Sequence, residues 1–367
     1  MIWPTPKRMV IERPLVNWCL LLGWGFSLLA LLVYAVWMFS VKSYLTGVMH
    51  PEGFHGQNKT KNYFEGWYFK FVSDDLKQKW AVIPGVFLGL QGSDTHEAFV
   101  QVLNGTTGQS YYVTYPIEEF EAAADKFEVR VGPNRFSAKG AVLDVGPLKG
   151  EIKIESELVP WPVKLSSPGI MGWYGMVPMM ECFHGLVSFN HKVSAKLVVD
   201  GKPADSSGKG YIEKDWGRNF PSGYIWLHSN HLENDPEASL VASAAIIPWL
   251  NSSFRGFIMG FHHSGKLHAW TTYNKSKELD LKMDDTHVHW SVTGDAGTLT
   301  ISALRARGGL LHAPLRTAMH QRVEETMDSI FEVKHEKDGV ILKQGTMKAA
   351  AMEVFGDIER LLSINGK

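Results

Sequence analysis

The sequence predicts an all-β protein, and three observations carry that expectation. Thirty-five glycines, 13 tryptophans and 19 phenylalanines exceed what a helical bundle needs and suit many strands joined by tight turns around a wide cavity. Short runs rich in aromatic and β-branched residues recur along the chain, punctuated by Gly, Asp, Asn and Pro. Amphipathic helical patterns do not intervene between them, which argues for barrels or sandwiches rather than βαβ units.

The strand signals fall, in order, at 63–72, 80–88, 98–103, 111–115, 126–131, 135–143, 151–158, 186–189 and 195–199, then at 224–232, 286–292 and 298–303. The one irregular block, 159–178, carries Pro160, Pro162, Pro168 and Pro178 with several glycines and reads as a long connection or lid. A length of 367 residues favours two domains. Turn formers cluster in DGKPADSSG at 200–208, so the boundary is placed there, giving domains 46–200 and 201–367 behind a separate segment 1–45.

That first segment contains LVNWCLLLGWGFSLLALLVYAVWMF, 25 residues (15–39) without a formal charge. About 20 apolar residues are enough to cross the hydrocarbon core as a helix. Lys7, Arg8 and Arg13 precede the run and Lys42 follows it, so the expectation is a single-pass membrane anchor with a cytoplasmic N-terminus and the bulk of the chain on the non-cytoplasmic side. A cleaved signal peptide fits less well, because its apolar core is shorter and Trp37-Met38-Phe39-Ser40 lacks small residues. Sequons at Asn58, Asn104, Asn251 and Asn274 are compatible with a secretory lumen.

Composition excludes some partners. Apolar residues make up 45% of the chain and charged ones 20%, with a net charge of −1, so no electrostatic reason exists to expect nucleic acid. Cys19 and Cys182 are the only cysteines, which rules out a disulfide framework. There is no Gly-rich phosphate loop, GxSxG elbow or Cys-His nucleophile signature. His287 and His289 have the strand spacing of two ligands on one face, with His262, His263 and His268 nearby, but no third ligand is fixed by spacing and no metal is expected.

Two stretches concentrate chemistry. In FEGWYFKFV (64–72), Glu65, Trp67, Phe69 and Phe71 share one face of a strand. A carboxylate in an apolar stripe is either paired with a cation or raised in pKa as a potential general acid. In YIEKDWGRNFPSGYIWLHSN (211–230), Tyr211, Glu213 and Asp215 share a face opposite Ile212, Lys214 and Trp216. Further along, Tyr224, Trp226, His228 and Asn230 line up opposite Ile225, Leu227, Ser229 and His231. Carboxylates at i and i+2 stand roughly 7 Å apart, a spacing open to two readings. Either they form a coupled pair in which one keeps its proton, or they clamp Lys214 and Arg218 at a domain seam.

FEGWYFKF (64–71), PMMECFHGLVSFNH (178–191), YIEKDWGRNFPSGYIWLHSN and AMEVFGDI (351–358) together resemble the tocopherol cyclase family, most closely its bacterial and algal members, with the carotenoid 1,2-hydratases as more distant look-alikes. The resemblance spans about 53–358 and implies two lipocalin-like antiparallel β-barrel domains. It implies a cofactor-independent reaction in which an alkene of a prenylated hydroquinone is protonated and the phenol oxygen captures the tertiary cation, closing a chroman ring. The partner implied is thus a hydrophobic isoprenoid substrate. By the same resemblance Asp215 is the first candidate proton donor, with Glu213 and Glu65 next. Trp67, Tyr68, Trp216, Tyr224 and Trp226 would line the cation, while His184, His228 or Asn230 would hold the head group. Plant members of the family carry Asn at the position of Asp215. A lipid-binding protein of the same fold without turnover is the alternative.

Overall fold

The computed structural model describes residues 47–90, 92, 95–177 and 179–364, and ahead of them residues 29, 31, 33 and 34. The chain divides into the units Met1–Thr46 and Gly47–Lys367. The membrane-spanning helix expected over 15–39 lies largely outside the described residues. Within it Leu29, Leu31, Val33 and Tyr34 are helical and exposed, and among the described residues no helix is long and apolar enough to cross a membrane.

The second unit is all-β, as its turn-punctuated sequence requires. The first sheet opens with β1 (Tyr63–Ser73), β2 (Lys79–Leu88), β3 (Glu97–Asn104) and β4 (Gln109–Tyr115). It continues through β5 (Phe120–Ala122), β6 (Glu128–Val131), β7 (Asn134–Ser137), β8 (Gly140–Val145) and β9 (Leu148–Ile154). After a small hairpin, β10 (Val163–Lys164) and β11 (Ser167–Pro168), it is completed by β12 (Cys182–Val199), β13 (Lys202–Pro203) and β14 (Ser206–Gly217). The second sheet contains β15 (Gly223–Ser229), β16 (Ser239–Trp249), β17 (Ser252–His263), β18 (Lys266–Thr271) and β19 (Lys277–Met283). Its remaining strands are β20 (His287–Gly294), β21 (Gly297–Leu304), β22 (Gly309–Pro314), β23 (Met319–Lys337) and β24 (Val340–Gly356).

Both sheets are wound in the same way. The first runs β4-β3-β2-β1-β14-β12-β9-β8-β7-β6-β5 and the second β18-β17-β16-β15-β24-β23-β21-β20-β19. In each, a four-strand meander pairs its first strand with the last strand of the sheet, and the two edge strands are consecutive in sequence. A single turn of 3₁₀ helix, Ile117–Glu119, joins edges β4 and β5, and the first sheet curls into a nearly closed barrel, which hides its edges from other chains.

Two strand expectations are corrected. The single strand expected at 135–143 is the β7/β8 hairpin, turned at Gly140, whose φ of 135° suits glycine and whose Cβ would strike the Ile152 carbonyl. The runs at 186–189 and 195–199 belong to one 18-residue strand, bulged between Leu186 and Ser188 and again between Ser188 and His191. The turn formers at 200–208 do not separate the sheets. They form the β12/β13 hairpin and the start of β14, both within the first sheet, and the changeover comes between Gly217 and Gly223. Turn chemistry marks a reversal of the chain equally well inside a sheet and between two.

Alternation of side chains builds the three largest cores among the described residues. Trp67, Phe69 and Phe71 of β1 join Val82, Val100 and Phe136 inside the first sheet. Ile225, Leu227, Phe257, Trp270 and Trp290 fill the second. Residues of opposite parity, Tyr68 and Val72 from β1, Tyr211 from β14 and Tyr224 and Trp226 from β15, meet in a third cluster with Trp161, Ile170, Met171 and Phe189. The connection 159–178 therefore packs onto the seam between the sheets, through Trp161 stacked on Phe189 with ring centroids 5.8 Å apart.

Candidate active site between the two sheets

Strand β14 is the hinge of the arrangement, because it pairs with β1 on one side and β12 on the other. Its even-numbered residues face the first core. There Lys214, fully buried, lies 2.5 Å from the fully buried Glu65. It also donates to the Gly53 carbonyl, approaches His55 Nδ1 at 2.9 Å and sits 4.7 and 4.8 Å over the Trp67 and Trp216 rings. Tyr63 O–H donates to Glu65 as well. Burial alone would raise the Glu65 carboxyl, but Lys214 and His55 outweigh it and hold it below its ordinary value. Glu65 is thus held as a carboxylate against Lys214 and does not line the cavity.

The odd-numbered Glu213 and Asp215 face a cavity of about 200 Å³ at the seam. Phe64, Tyr68, Phe99, Phe220, Tyr224 and Trp226 are among its aromatic walls, and Met171 and Tyr174 of the 159–178 connection close part of it. Apolar side chains fill the inner faces of both sheets, and this cavity lies between them.

Strand register sets the polar groups of this cavity. His184 and Asp215 are directly opposed across β12 and β14, as are Tyr68 and Glu213 across β1 and β14. His184 Nδ1 is 2.9 Å from Asp215 Oδ1, and His184 Nε2 is 3.4 Å from Glu213 Oε2 but too poorly aligned for a hydrogen bond. Glu213 Oε2 accepts from Tyr211 O–H and, at 3.1 Å, from Trp226 Nε1–H. Burial pushes the Glu213 carboxyl up to about 7 against the pull of His184, with the Asp215 charge adding to the rise. For His184 burial works against protonation, yet Asp215 and Glu213 hold it at about 9.

The second sheet contributes a facing pair of carboxyls. Glu353 is paired in register with Trp226 on β15 and with Glu325 on β23. Tyr224 O–H donates to Glu353 at 2.6 Å and Tyr68 O–H donates to Glu325. Burial raises Glu353 to about 7, and burial with the neighbouring Glu353 raises Glu325 well above the carboxylate range. Lys70, fully buried, donates to the Ala349 carbonyl at 2.8 Å and is depressed by burial to about 7. Four carboxyls thus gather around His184 and Lys70, an excess that keeps at least one of them protonated near neutrality.

Of the residues expected from sequence, Asp215, Glu213, Tyr68, His184, Tyr224 and Trp226 line the cavity. Glu65, Trp67 and Trp216 do not, because their parity on β1 and β14 turns them to the first core; Trp216 stacks between His55 and Phe183. His228 is fully buried, stacked on Tyr211 and 3.3 Å from Lys70. Asn230 bonds Asn190 and the Gly210 carbonyl. Neither reaches the cavity wall, since β15 runs away from it beyond Trp226. Arg218 is exposed and bonds the Met179 carbonyl, so it clamps neither carboxylate. Glu353 and Glu325 went unrecognised. Glu353 shares its strand face with Ala351 and Phe355, the same carboxylate-in-an-apolar-stripe signal that singled out Glu65; Glu325 follows Glu324 and has no such signature.

His184, Glu213 and Asp215 each offer a ligand atom within 4.8 Å of the others, the donor types of a divalent-metal site. The Tyr211 O–H and Trp226 N–H already occupy the Glu213 oxygen nearest His184, so a cation there would compete with two donors for its lone pairs.

A family profile described as tocopherol cyclase-like matches residues 159–356. That range includes the 178–191 and 211–230 blocks and leaves FEGWYFKF outside. No curated protein matches the chain. Among solved structures, CghA bound to Sch210972 is similar with a TM-score of 0.52 at 10% identity, covering 80% of this chain and 88% of its own. A Nitrosomonas europaea protein provisionally called AttH aligns with a TM-score of 0.50 at 12% identity, over 84% of this chain and 95% of its own. These likenesses concern the fold.

Proposed function

Since the chain belongs to the tocopherol cyclase-like family, we propose that it is an acid catalyst that protonates an alkene of a lipophilic isoprenoid substrate held between its two sheets. The carrying observation is Glu213, a buried carboxyl raised to about 7 in an aromatic-walled cavity. It is preferred to Asp215, whose Oδ1 is engaged by His184 Nδ1 at 2.9 Å.

In the reaction the Glu213 O–H gives its proton to one alkene carbon, and the π electrons form the new C–H bond. The tertiary cation left on the other carbon faces Tyr68, Tyr224 and Trp226, where each desolvated aromatic face contributes about 2 kcal/mol. A phenol oxygen of the substrate then forms the C–O bond and loses its proton to the Glu213 carboxylate. Atoms and charge return to their starting count, so the net change is an isomerisation to a chromanol. His184 and Asp215 orient the head group. Exclusion of water by the walls keeps the cation from ending as an alcohol.

In this reading the two similarly wound sheets are lipocalin-like barrels, and residues 15–39 anchor the chain in a membrane with its bulk on the non-cytoplasmic side, where the substrate arrives from the bilayer. The test is incubation of the full-length chain with a prenylated hydroquinone, following chromanol by mass spectrometry. Product formation abolished by Glu213→Gln supports the proposal. Tight binding with no product would instead identify a lipid-binding protein, and ¹⁸O incorporation from water would identify a hydratase.

A further inference from the structure

Away from the cavity, the curl of the second sheet brings together His263 at the end of β17, His268 on the edge strand β18 and His335 on β23. In the sheet, β17 and β23 are separated by β16, β15 and β24, so these side chains meet across the interior of the curl. Each offers a ring nitrogen within 4.8 Å of the others. His263 and His335 are almost fully buried, while His268 is partly exposed. We propose that His263, His268 and His335 form a binding site for a transition-metal dication of the zinc type.

The hydrogen bonds around the rings support it. His335 Nε2 donates to the Ala296 carbonyl at 2.7 Å, which leaves its Nδ1 as a lone pair. That lone pair faces His263 Nε2 at 2.9 Å. On its other side, His263 Nδ1 lies 3.2 Å from Ser264 Oγ. Ligating histidines commonly have their far nitrogen tied to a carbonyl or hydroxyl, which fixes the ring and the tautomer; two of these three do. With bonds of about 2.05 Å, ligands of a tetrahedral zinc stand roughly 3.3 Å apart, so the His263–His335 pair opens by only a few tenths of an ångström. Three imidazoles with no carboxylate suit zinc, copper or nickel and not magnesium or calcium. Asp235 and Lys343, paired at 2.7 Å, both lie within electrostatic reach of His263 with opposing effects, so the case for the ion rests on the three rings. The partly exposed His268 leaves a path for the ion and a fourth position for water.

The alternative is a metal-free chain in which Ser264 donates to His263, His263 to His335 and His335 to Ala296. Metal binding moves one proton from His263 Nε2 to Nδ1, which turns Ser264 from donor to acceptor and replaces the His263–His335 hydrogen bond by two bonds to the ion. The two are separated by stripping the full-length chain with EDTA and titrating it with Zn²⁺, and with Co²⁺ for its visible spectrum. The expected result is one ion per chain, a tetrahedral cobalt spectrum, and a melting temperature raised several degrees by zinc. His268→Gln, at the least buried ligand, weakens binding at least tenfold and removes the thermal shift while leaving the apo melt unchanged. Absence of binding at micromolar metal overturns the proposal. So does binding that His268→Gln and His263→Gln leave intact, whether His287→Ala or His184→Gln then removes it.

Discussion

Replacing Lys214 by Met tests how the charges inside the first sheet are held. Both Lys214 and Glu65 are fully buried and 2.5 Å apart. Without the ammonium, Glu65 keeps the Tyr63 hydroxyl and the His55 backbone N–H as donors but has lost its principal counter-charge. Leaving one member of a buried pair uncompensated costs about 3–5 kcal/mol. For the unit Gly47–Lys367, an unfolding entropy of about 2.1 cal/mol/K per residue gives roughly 0.7 kcal/mol/K, so the melting temperature falls by about 4–8 °C. Lys214→Met combined with Glu65→Gln removes the stranded charge and recovers at least half of the loss. The pH dependence follows from the depressed Glu65 pKa. Its stabilisation is present above its unfolded value and is lost as the pH falls through its folded one, and this acid-side loss disappears in Lys214→Met. Thermal and urea melts of the three variants measure all of this. A Lys214→Met protein that melts within about 1 °C of the parent, or a double variant no more stable than the single one, refutes the reasoning.

Other consequences concern the cavity and its cover. Glu213→Gln lowers kcat by about 10²–10⁴ with substrate binding retained, as measured by single-turnover kinetics. Because the protonated Glu213 is the active form and stands at about 7, kcat/KM falls on the alkaline side from about that pH; a profile flat to pH 9 contradicts the assignment. His184, raised to about 9 from an ordinary 6.5, adds stability that is fully present below its unfolded pKa and is lost as the pH rises through its folded one; melts of His184→Gln across that range lack this slope. Trp226→Leu removes one cation-stabilising face worth about 2 kcal/mol and slows turnover roughly thirtyfold. Gly260→Ala sets a Cβ 2.4 Å from the Trp161 ring, costs about 1–3 kcal/mol and changes the fluorescence of the connection over the seam.

Much of the all-β architecture was legible because alternation and turn formers are local signals. The parity of β14 was legible too: Tyr211, Glu213 and Asp215 do share one face and Ile212, Lys214 and Trp216 the other. What that parity did not reveal was which face looked at which environment. Trp67 and Trp216 therefore passed for cavity walls when they surround an ion pair. Glu353 and Glu325 come from β24 and β23, more than a hundred residues beyond Glu213, and only long-range register brings them to it. His335 likewise stands 72 residues beyond His263, which it meets across the second sheet. Information of that kind resides in the closure of sheets and not in any window of sequence.

The alternation along β14 also restricts how the chain can err. A slip of one residue against β1 or β12 would exchange its two faces, driving the Lys214 ammonium into the aromatic cavity and Glu213 in among Trp67 and Phe69 without its donors. Both misplacements are heavily penalised, so the charges work as a key that fits a single alignment. Any substitution that neutralised Glu213 and Lys214 together would relax that key, and such a protein would lose its defence against mispairing along with its chemistry.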